Sequence, residues 1–198
     1  MTTLQLHRRD VLAKAFEARG QALVVSGLGS PSWDLASLGD RDENFYLWGA
    51  MGNAAMIGLG LAQAQPERRV LVLTGDGEML MGLSALTTIG ARKPSNLSIC
   101  VLDNERYSET GHQPTATGAG TDLAAVANAC DFSNTATITD EAGVAGLGSM
   151  LFNQAGPVFA VVKVVDEKLP MVVPPRDGSY LKSRFRVGLL GAAVATQT

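Results

Sequence analysis

Val70-Leu71-Val72-Leu73-Thr74-Gly75-Asp76-Gly77-Glu78-Met79 is the stretch on which the fold turns. Val70–Thr74 is an unbroken apolar run of strand length, and Met79–Ile89 carries a second apolar pattern that fits a helix. Gly75-Asp76-Gly77 therefore sits at a strand-to-helix junction. Its glycines allow backbone angles and close approach that a side chain would block. The free amides and positive dipole end of the helix start suit a phosphate. A carboxylate at Asp76 would repel that phosphate, so a cation between them is implied. Magnesium is the natural choice, because it takes hard oxygen ligands and often bridges carboxylate to phosphate. Taken alone, the triplet is more often an unliganded Gly-Asp-Gly turn.

Outward from this stretch the pattern repeats. Leu97–Leu102 is another apolar strand, followed by the polar segment Asp103–Thr121. Asn104 lies 28 positions after Asp76, so adjacent parallel strands would bring both to one sheet edge. Ala22–Val25, Thr135–Ile138 and Pro157–Val165 read as further strands, with Ser26–Ser32 as a turn-rich loop. Helices are expected at Leu4–Ala18, Asn53–Gln65, Asp140–Asn153, and from the cap Asp122 through Ala129. Apolar runs without alternation, separated by helices, indicate a mainly parallel sheet covered on both faces. The expected fold is a three-layer α/β/α sandwich, in which ligands bind beyond the carboxyl ends of the strands.

Composition narrows the function class. The 198 residues are 46% hydrophobic and 18% charged, with 22 glycines, which suits one compact domain rich in turns. A net charge of -3 without a basic block argues against nucleic acid. Two distant cysteines, Cys100 and Cys130, give no metal-binding spacing. No apolar stretch reaches membrane-spanning length, so the chain reads as cytoplasmic.

The Gly-Asp-Gly triplet with an Asn-ending strand at this distance resembles the signature of thiamine diphosphate enzymes, in their diphosphate-binding domain. The resemblance covers Phe45 to Val165. It implies that Asp76 and Asn104 hold magnesium through side chains and Arg106 through its carbonyl, with Gly75, Gly77, Glu78 and Met79 around the diphosphate. Many members have two asparagines where this chain has Asp103-Asn104, and the second usually holds the metal. Met51, 25 positions before Asp76, matches the bulky apolar residue that props the cofactor into its bent shape. Gly49 matches the residue whose carbonyl accepts from the 4'-amino group. Glu78 replaces a small residue, and a helix-start carboxylate pointing to solvent is the expectation there.

The segment Tyr107-Ser108-Glu109-Thr110-Gly111-His112-Gln113-Pro114-Thr115 is similar to the loop of sulfopyruvate and phosphonopyruvate decarboxylases. That places Tyr107, Ser108 and Thr110 near the cofactor, with His112 and Gln113 as further candidates. A polar loop merely ordered by the metal site is the plainer alternative. The resemblance implies a glutamate that activates the cofactor from a separate pyrimidine-binding domain, and this chain has no room for one. The expectation is therefore a beta-type subunit of a 2-oxo acid decarboxylase, completed by a pyrimidine-binding alpha subunit in a hetero-oligomer. A carboligase, an oxidoreductase subunit and a non-catalytic assembly subunit are the alternatives. Gly58-Leu59-Gly60 falls inside an expected helix, which counts against a dinucleotide fingerprint.

Residues 1–168 form the expected cofactor-binding domain. Residues 169–198 change character, with Pro170, Pro174 and Pro175 ahead of arginines and aromatics. They are either a solvated extension or a segment that docks on another subunit.

Overall fold

The computed structural model describes residues 5–195. In its first half the chain forms α1 (Arg8–Phe16), β1 (Leu23–Ser26), α2 (Ser30–Ser37), β2 (Asn44–Tyr46), α3 (Ala54–Ala64), β3 (Val70–Gly75), α4 (Asp76–Met81) and α5 (Ala85–Arg92). There follow β4 (Leu97–Asp103), β5 (Arg106–Tyr107), β6 (Gln113–Pro114), α6 (Leu123–Ala129), β7 (Asn134–Ile138), α7 (Glu141–Asn153) and β8 (Val158–Lys163). The chain continues through α8 (Gly178–Leu190) and α9 (Ala192–Ala195). Leu4, the expected start of the first helix, and residues 196–198 of the expected extension lie outside the described residues.

Six strands make one parallel sheet in the order β2-β1-β3-β4-β8-β7. The central strands are apolar throughout because successive side chains enter opposite cores. Leu71 and Leu73 join Cys100 and Leu102 on one face, packed with Leu12 of α1, Leu35 of α2 and Leu147 of α7. Val70 and Val72 join Ile99 and Val101 on the other, packed with Leu59 of α3, Leu86 of α5 and Leu123 of α6. The fold is the three-layer α/β/α sandwich expected from the sequence. Asp122 and Asp140 cap α6 and α7, accepting from Ala125 N at 3.0 Å and Gly143 N at 2.9 Å. No helix of the described residues is long and apolar enough to cross a membrane.

Four local expectations change. The segment Ser26–Ser32 is not all loop: α2 starts within it at Ser30, with Pro31 in its first turn. β2 was not expected, being three residues at the sheet edge. The first helix is shorter than Leu4–Ala18, since Leu6 instead bridges Val164 as an extended residue. The helix expected at Met79–Ile89 is two helices. It begins at Asp76 and stops at Gly82, whose backbone lies against the Gly52 carbonyl so closely that a Cβ would meet it at 2.0 Å.

Part of the C-terminal segment packs back on the domain through Leu181, Arg184 and Phe185. Asp177 caps α8 by accepting from Tyr180 N at 2.9 Å, and the helix folds back over β2. Phe185 meets Phe45 with ring centroids 5.2 Å apart. Arg184 pairs with both oxygens of Asp40, at 2.5 and 3.0 Å. Ahead of it, Trp48 Nε1 donates to the Pro175 carbonyl at 2.8 Å.

Candidate functional site

The site lies beyond the carboxyl ends of β3 and β4. Their register pairs Gly75 with Leu102, so the next residues, Asp76 and Asp103, emerge side by side, with Asn104 one step on. A half-open cavity of about 620 Å³, counting its mouth, occupies this edge. Gly75, Asp76, Gly77, Glu78, Asn104, Arg106, Tyr107, Ser108 and Thr110 line it, as does Met51. Residues spread over sixty positions of sequence thus converge because the sheet register fixes where each strand ends.

Four candidates are not part of this lining. Met79 is 2% exposed and packs in the core beneath α4. Gly49 lies exposed on the loop before Met51. His112 and Gln113 are also exposed and outside the cavity, and His112 Nε2 instead contacts Asp166 Oδ2 at 2.6 Å.

Asp76 is buried and held from several sides. Thr115 Oγ1 donates to its Oδ2 at 2.6 Å, and Thr117 Oγ1 reaches the same atom at 3.4 Å. Burial pushes the Asp76 carboxyl up to about 6, and the nearby Asp103 adds to this. The Thr115 hydroxyl and the amides of Asp76 and Gly77 pull the other way. A cation at this carboxylate would oppose the effect of burial directly.

Asp103, where an asparagine was the commoner expectation, has its own counter-charge. Lys163 Nζ lies 3.0 Å from its Oδ2 and 2.6 Å from Glu105 Oε1. Asp103 Oδ1 accepts from Thr117 Oγ1 at 2.8 Å and from Glu105 N at 3.0 Å. The departure at Asp103 is thus accommodated by Lys163 on β8, directly across the register.

The Asn104 carboxamide has a defined orientation. Its Nδ2 donates to Ser108 Oγ at 2.9 Å and approaches Asp166 Oδ1 at 3.4 Å, while its Oδ1 accepts from Arg106 N at 3.2 Å. The oxygen keeps a second lone pair for another partner. One buried carboxylate, one carboxamide oxygen and the Arg106 carbonyl form an all-oxygen set that suits a hard divalent cation. Among the described residues no group of three or more His, Cys, Asp or Glu side chains could hold a metal, so such a cation would need further ligands from a bound molecule.

Glu78 does not point to solvent, contrary to expectation. It is 5% exposed, and Thr74 Oγ1 donates to its Oε2 at 2.8 Å. Burial raises its pKa, while Thr74 and the facing amides of Ala54, Gly52 and Leu28 hold it back. Oε1 accepts no well-aligned hydrogen bond among the described residues. The helix turns this side chain inward, towards the loop that carries Met51. Tyr107 packs its ring on Gly77, where a Cβ would sit 2.6 Å from Cδ1, so the second glycine of the triplet is set by the ring above it.

Several residues in and around the cavity wall escaped sequence reasoning. Leu28, Ser30 and Pro31 line the cavity from the start of α2, and Arg8 reaches it from α1. The position of Gly27-Leu28-Gly29-Ser30 directly after β1 was a usable signal, since that too is a carboxyl edge. Thr117 and Lys163 reach Asp76 and Asp103 without a separate sequence pattern, whereas Thr115 closes the loop already singled out.

Residues 37–172 match the family described as thiamine pyrophosphate enzyme, C-terminal TPP binding domain. The beta subunit of sulfopyruvate decarboxylase from Methanothermobacter thermautotrophicus is 39% identical over 193 residues, covering 96% of this chain and 98% of that one. The Methanocaldococcus jannaschii protein of the same name is 43% identical over 135 residues, 68% of this chain and 70% of that one. Phosphonopyruvate decarboxylase from Streptomyces viridochromogenes is 50% identical over 111 residues, 56% of this chain but 28% of that one. In fold, benzoylformate decarboxylase from Polynucleobacter necessarius superimposes with a TM-score of 0.65 at 18% identity, over 86% of this chain and 35% of that one. The chain belongs to the thiamine pyrophosphate enzymes, as their C-terminal, TPP-binding domain.

Proposed function

We propose that this chain is the cofactor-binding subunit of a thiamine diphosphate- and Mg2+-dependent 2-oxo acid decarboxylase, acting on a sulfopyruvate- or phosphonopyruvate-like substrate in the cytoplasm. The observation that carries the reading is the meeting of Asp76, Asn104 and Arg106 at one mouth of the sheet. The end-to-end likeness to a sulfopyruvate decarboxylase beta subunit supports it.

Asp76 Oδ, Asn104 Oδ1 and the Arg106 carbonyl hold magnesium in this reading, and the amides at the start of α4 receive the diphosphate. The bound cofactor supplies an electron sink for the loss of carbon dioxide. Met51 supports the cofactor's bend from the cavity wall, with the Gly49 carbonyl orienting its amino group. Tyr107, Ser108 and Thr110 border the mouth and limit water. Met79 props the Gly-Asp-Gly turn from the core. The activating glutamate comes from a pyrimidine-binding alpha subunit, so the working unit is a hetero-oligomer. Residues 1–168 are the cofactor domain in this scheme. The segment from 169 onward leaves Met171, Val172 and Val173 exposed as a contact for that partner.

The test is carbon dioxide release from a panel of 2-oxo acids by the chain co-expressed with its partner, with Asp76→Ala as control. Release requiring both chains and lost in the variant is expected. Equal activity of the chain alone overturns the split-site reading, and cofactor binding without carbon dioxide overturns the decarboxylase reading.

A further inference from the structure

One cation in the cavity wall is not used by the site just described. Arg8, in the first turn of α1, is 5% exposed and lines the same cavity as Asn104 and Tyr107. An amphipathic helix pattern sends such a charge to solvent, yet here it is held inside. Arg8 Nε donates to Asp34 Oδ2 at 2.7 Å, and Nη1 donates to the Glu167 carbonyl at 3.0 Å. These two bonds fix the guanidinium plane. Nη2 has no hydrogen-bond acceptor among the described residues.

The carboxylate that Arg8 meets is shared with a second arginine. Asp34 is fully buried and its other oxygen, Oδ1, is already taken by Arg9 Nε at 3.0 Å. One carboxylate thus answers two guanidinium groups. The Glu167 carboxylate turns to the Arg8 backbone amide at 3.2 Å and to the His7 ring at 3.0 Å. Arg106, the other arginine of the lining, is only half-buried, and its Nη1 meets the Glu105 carbonyl at 3.3 Å. Arg8 is therefore the buried, oriented cation of the wall. Both Arg8 and Asp34 precede residue 37, where the family match begins.

We infer that Arg8 is an oxyanion-binding residue of this cavity, its fixed guanidinium receiving either the cofactor's diphosphate or the anionic far end of the 2-oxo acid. A pre-oriented guanidinium binds phosphate and sulfonate oxygens with charge-assisted hydrogen bonds, and little freedom is lost on binding. The inference rests on the cavity being the diphosphate site, and for its second source on the decarboxylase reading.

Two probes separate the sources. Binding of inorganic pyrophosphate with Mg2+ to the purified chain reads the diphosphate. Inhibition by sulfoacetate, a non-reacting sulfonate, of the assembled complex reads the far end of the substrate. Arg8→Gln is expected to weaken one of them by about 10- to 100-fold, the range for a charge-assisted hydrogen bond. Arg9→Gln, which touches the same Asp34 from outside the cavity, is expected to leave both within about twofold. Arg8→Lys still gives Asp34 a cation, so it folds even where Arg8→Gln does not, and it is expected to lose about tenfold through the missing fork. A loss for pyrophosphate assigns Arg8 to the diphosphate, and a loss for sulfoacetate alone assigns it to the substrate. Arg8 variants that match the unaltered protein for both probes overturn the inference and leave the function reading standing. An unaltered chain that does not bind pyrophosphate with Mg2+ overturns the cavity reading and the inference together.

Discussion

Thr115 Oγ1 donates to Asp76 Oδ2 across 2.6 Å, although the two residues are 39 positions apart. Thr115 follows β6, whose pairing with β5 returns the chain to the Gly-Asp-Gly turn. The hydroxyl holds the carboxylate in a single pose before any cation arrives. Thr115→Val keeps the side-chain shape and removes the donor. It is expected to raise the Mg2+ concentration needed for half-maximal cofactor binding by about tenfold, the scale of one hydrogen bond to a charged group. Titration of cofactor binding against Mg2+ checks this, with an unchanged midpoint counting against preorganisation by Thr115.

Lys163 faces two carboxylates, Asp103 at 3.0 Å and Glu105 at 2.6 Å, and Asp103 is only 2% exposed. Lys163→Met would leave a buried charge beside Asp76 unanswered. A loss of about 3–5 kcal/mol is expected, as for breaking a buried pair from one side. Asp103→Asn in the same background should restore most of it, because the asparagine carries no charge. Urea unfolding of the single and double variants is the measurement. Equal stability of the two would show that the Asp103 charge is not what Lys163 answers.

The contrast between these residues shows what the sequence could and could not carry. Asp76 and Asn104 were readable because each ends an apolar strand, and strand ends on a parallel sheet share an edge. Glu78 was misjudged for the opposite reason, and the burial of Arg8 carried no sequence signal. A charge next to an apolar run is sent to solvent by default, and only tertiary partners reverse that. Those partners are Thr74 and the Gly52–Ala54 amides for Glu78, and Asp34 for Arg8. α8 was missed because its apolar anchors, Leu181 and Phe185, are few, and its main polar anchor is a distant Asp40.

That anchor should be pH-sensitive. Burial alone would raise the Asp40 pKa, but hydrogen bonds from Arg184 and Tyr46 outweigh it and set it below the usual 3.8. A depressed carboxylate contributes stability above its unfolded value, and the contribution is lost as pH falls through the folded pKa. The docking of α8 is thus expected to hold at neutral pH and to weaken below about pH 4. Asp40 is about a third exposed, so the effect is modest. Trp48 reports it, since its ring lies under Arg176 at 5.3 Å and its Nε1 donates to Pro175. Arg184→Gln should give the acid-type fluorescence at neutral pH. A Trp48 signal identical in both proteins from pH 7 to 3 would count against the anchor.

Glu78 lies under the loop that presents Met51, with the Thr74 hydroxyl donating to its Oε2 at 2.8 Å and the amides of Leu28, Gly52 and Ala54 facing it. A glutamine has the acid's shape but, with its oxygen kept on Thr74, places an amino group where Oε1 sits without an acceptor. Glu78→Gln is therefore expected to cost about 1–3 kcal/mol through unmatched donors. The pH dependence gives an independent sign. Because burial raises the Glu78 pKa, its protonated form favours the folded state, and that contribution fades as pH rises through the folded value. Glu78→Gln cannot titrate, so its stability deficit should be largest at low pH and shrink towards neutral. Thermal melts of both proteins between pH 4 and 8 test this directly. A deficit that instead grows with pH would mean that the ionised carboxylate, held by its amides, is the form the fold prefers.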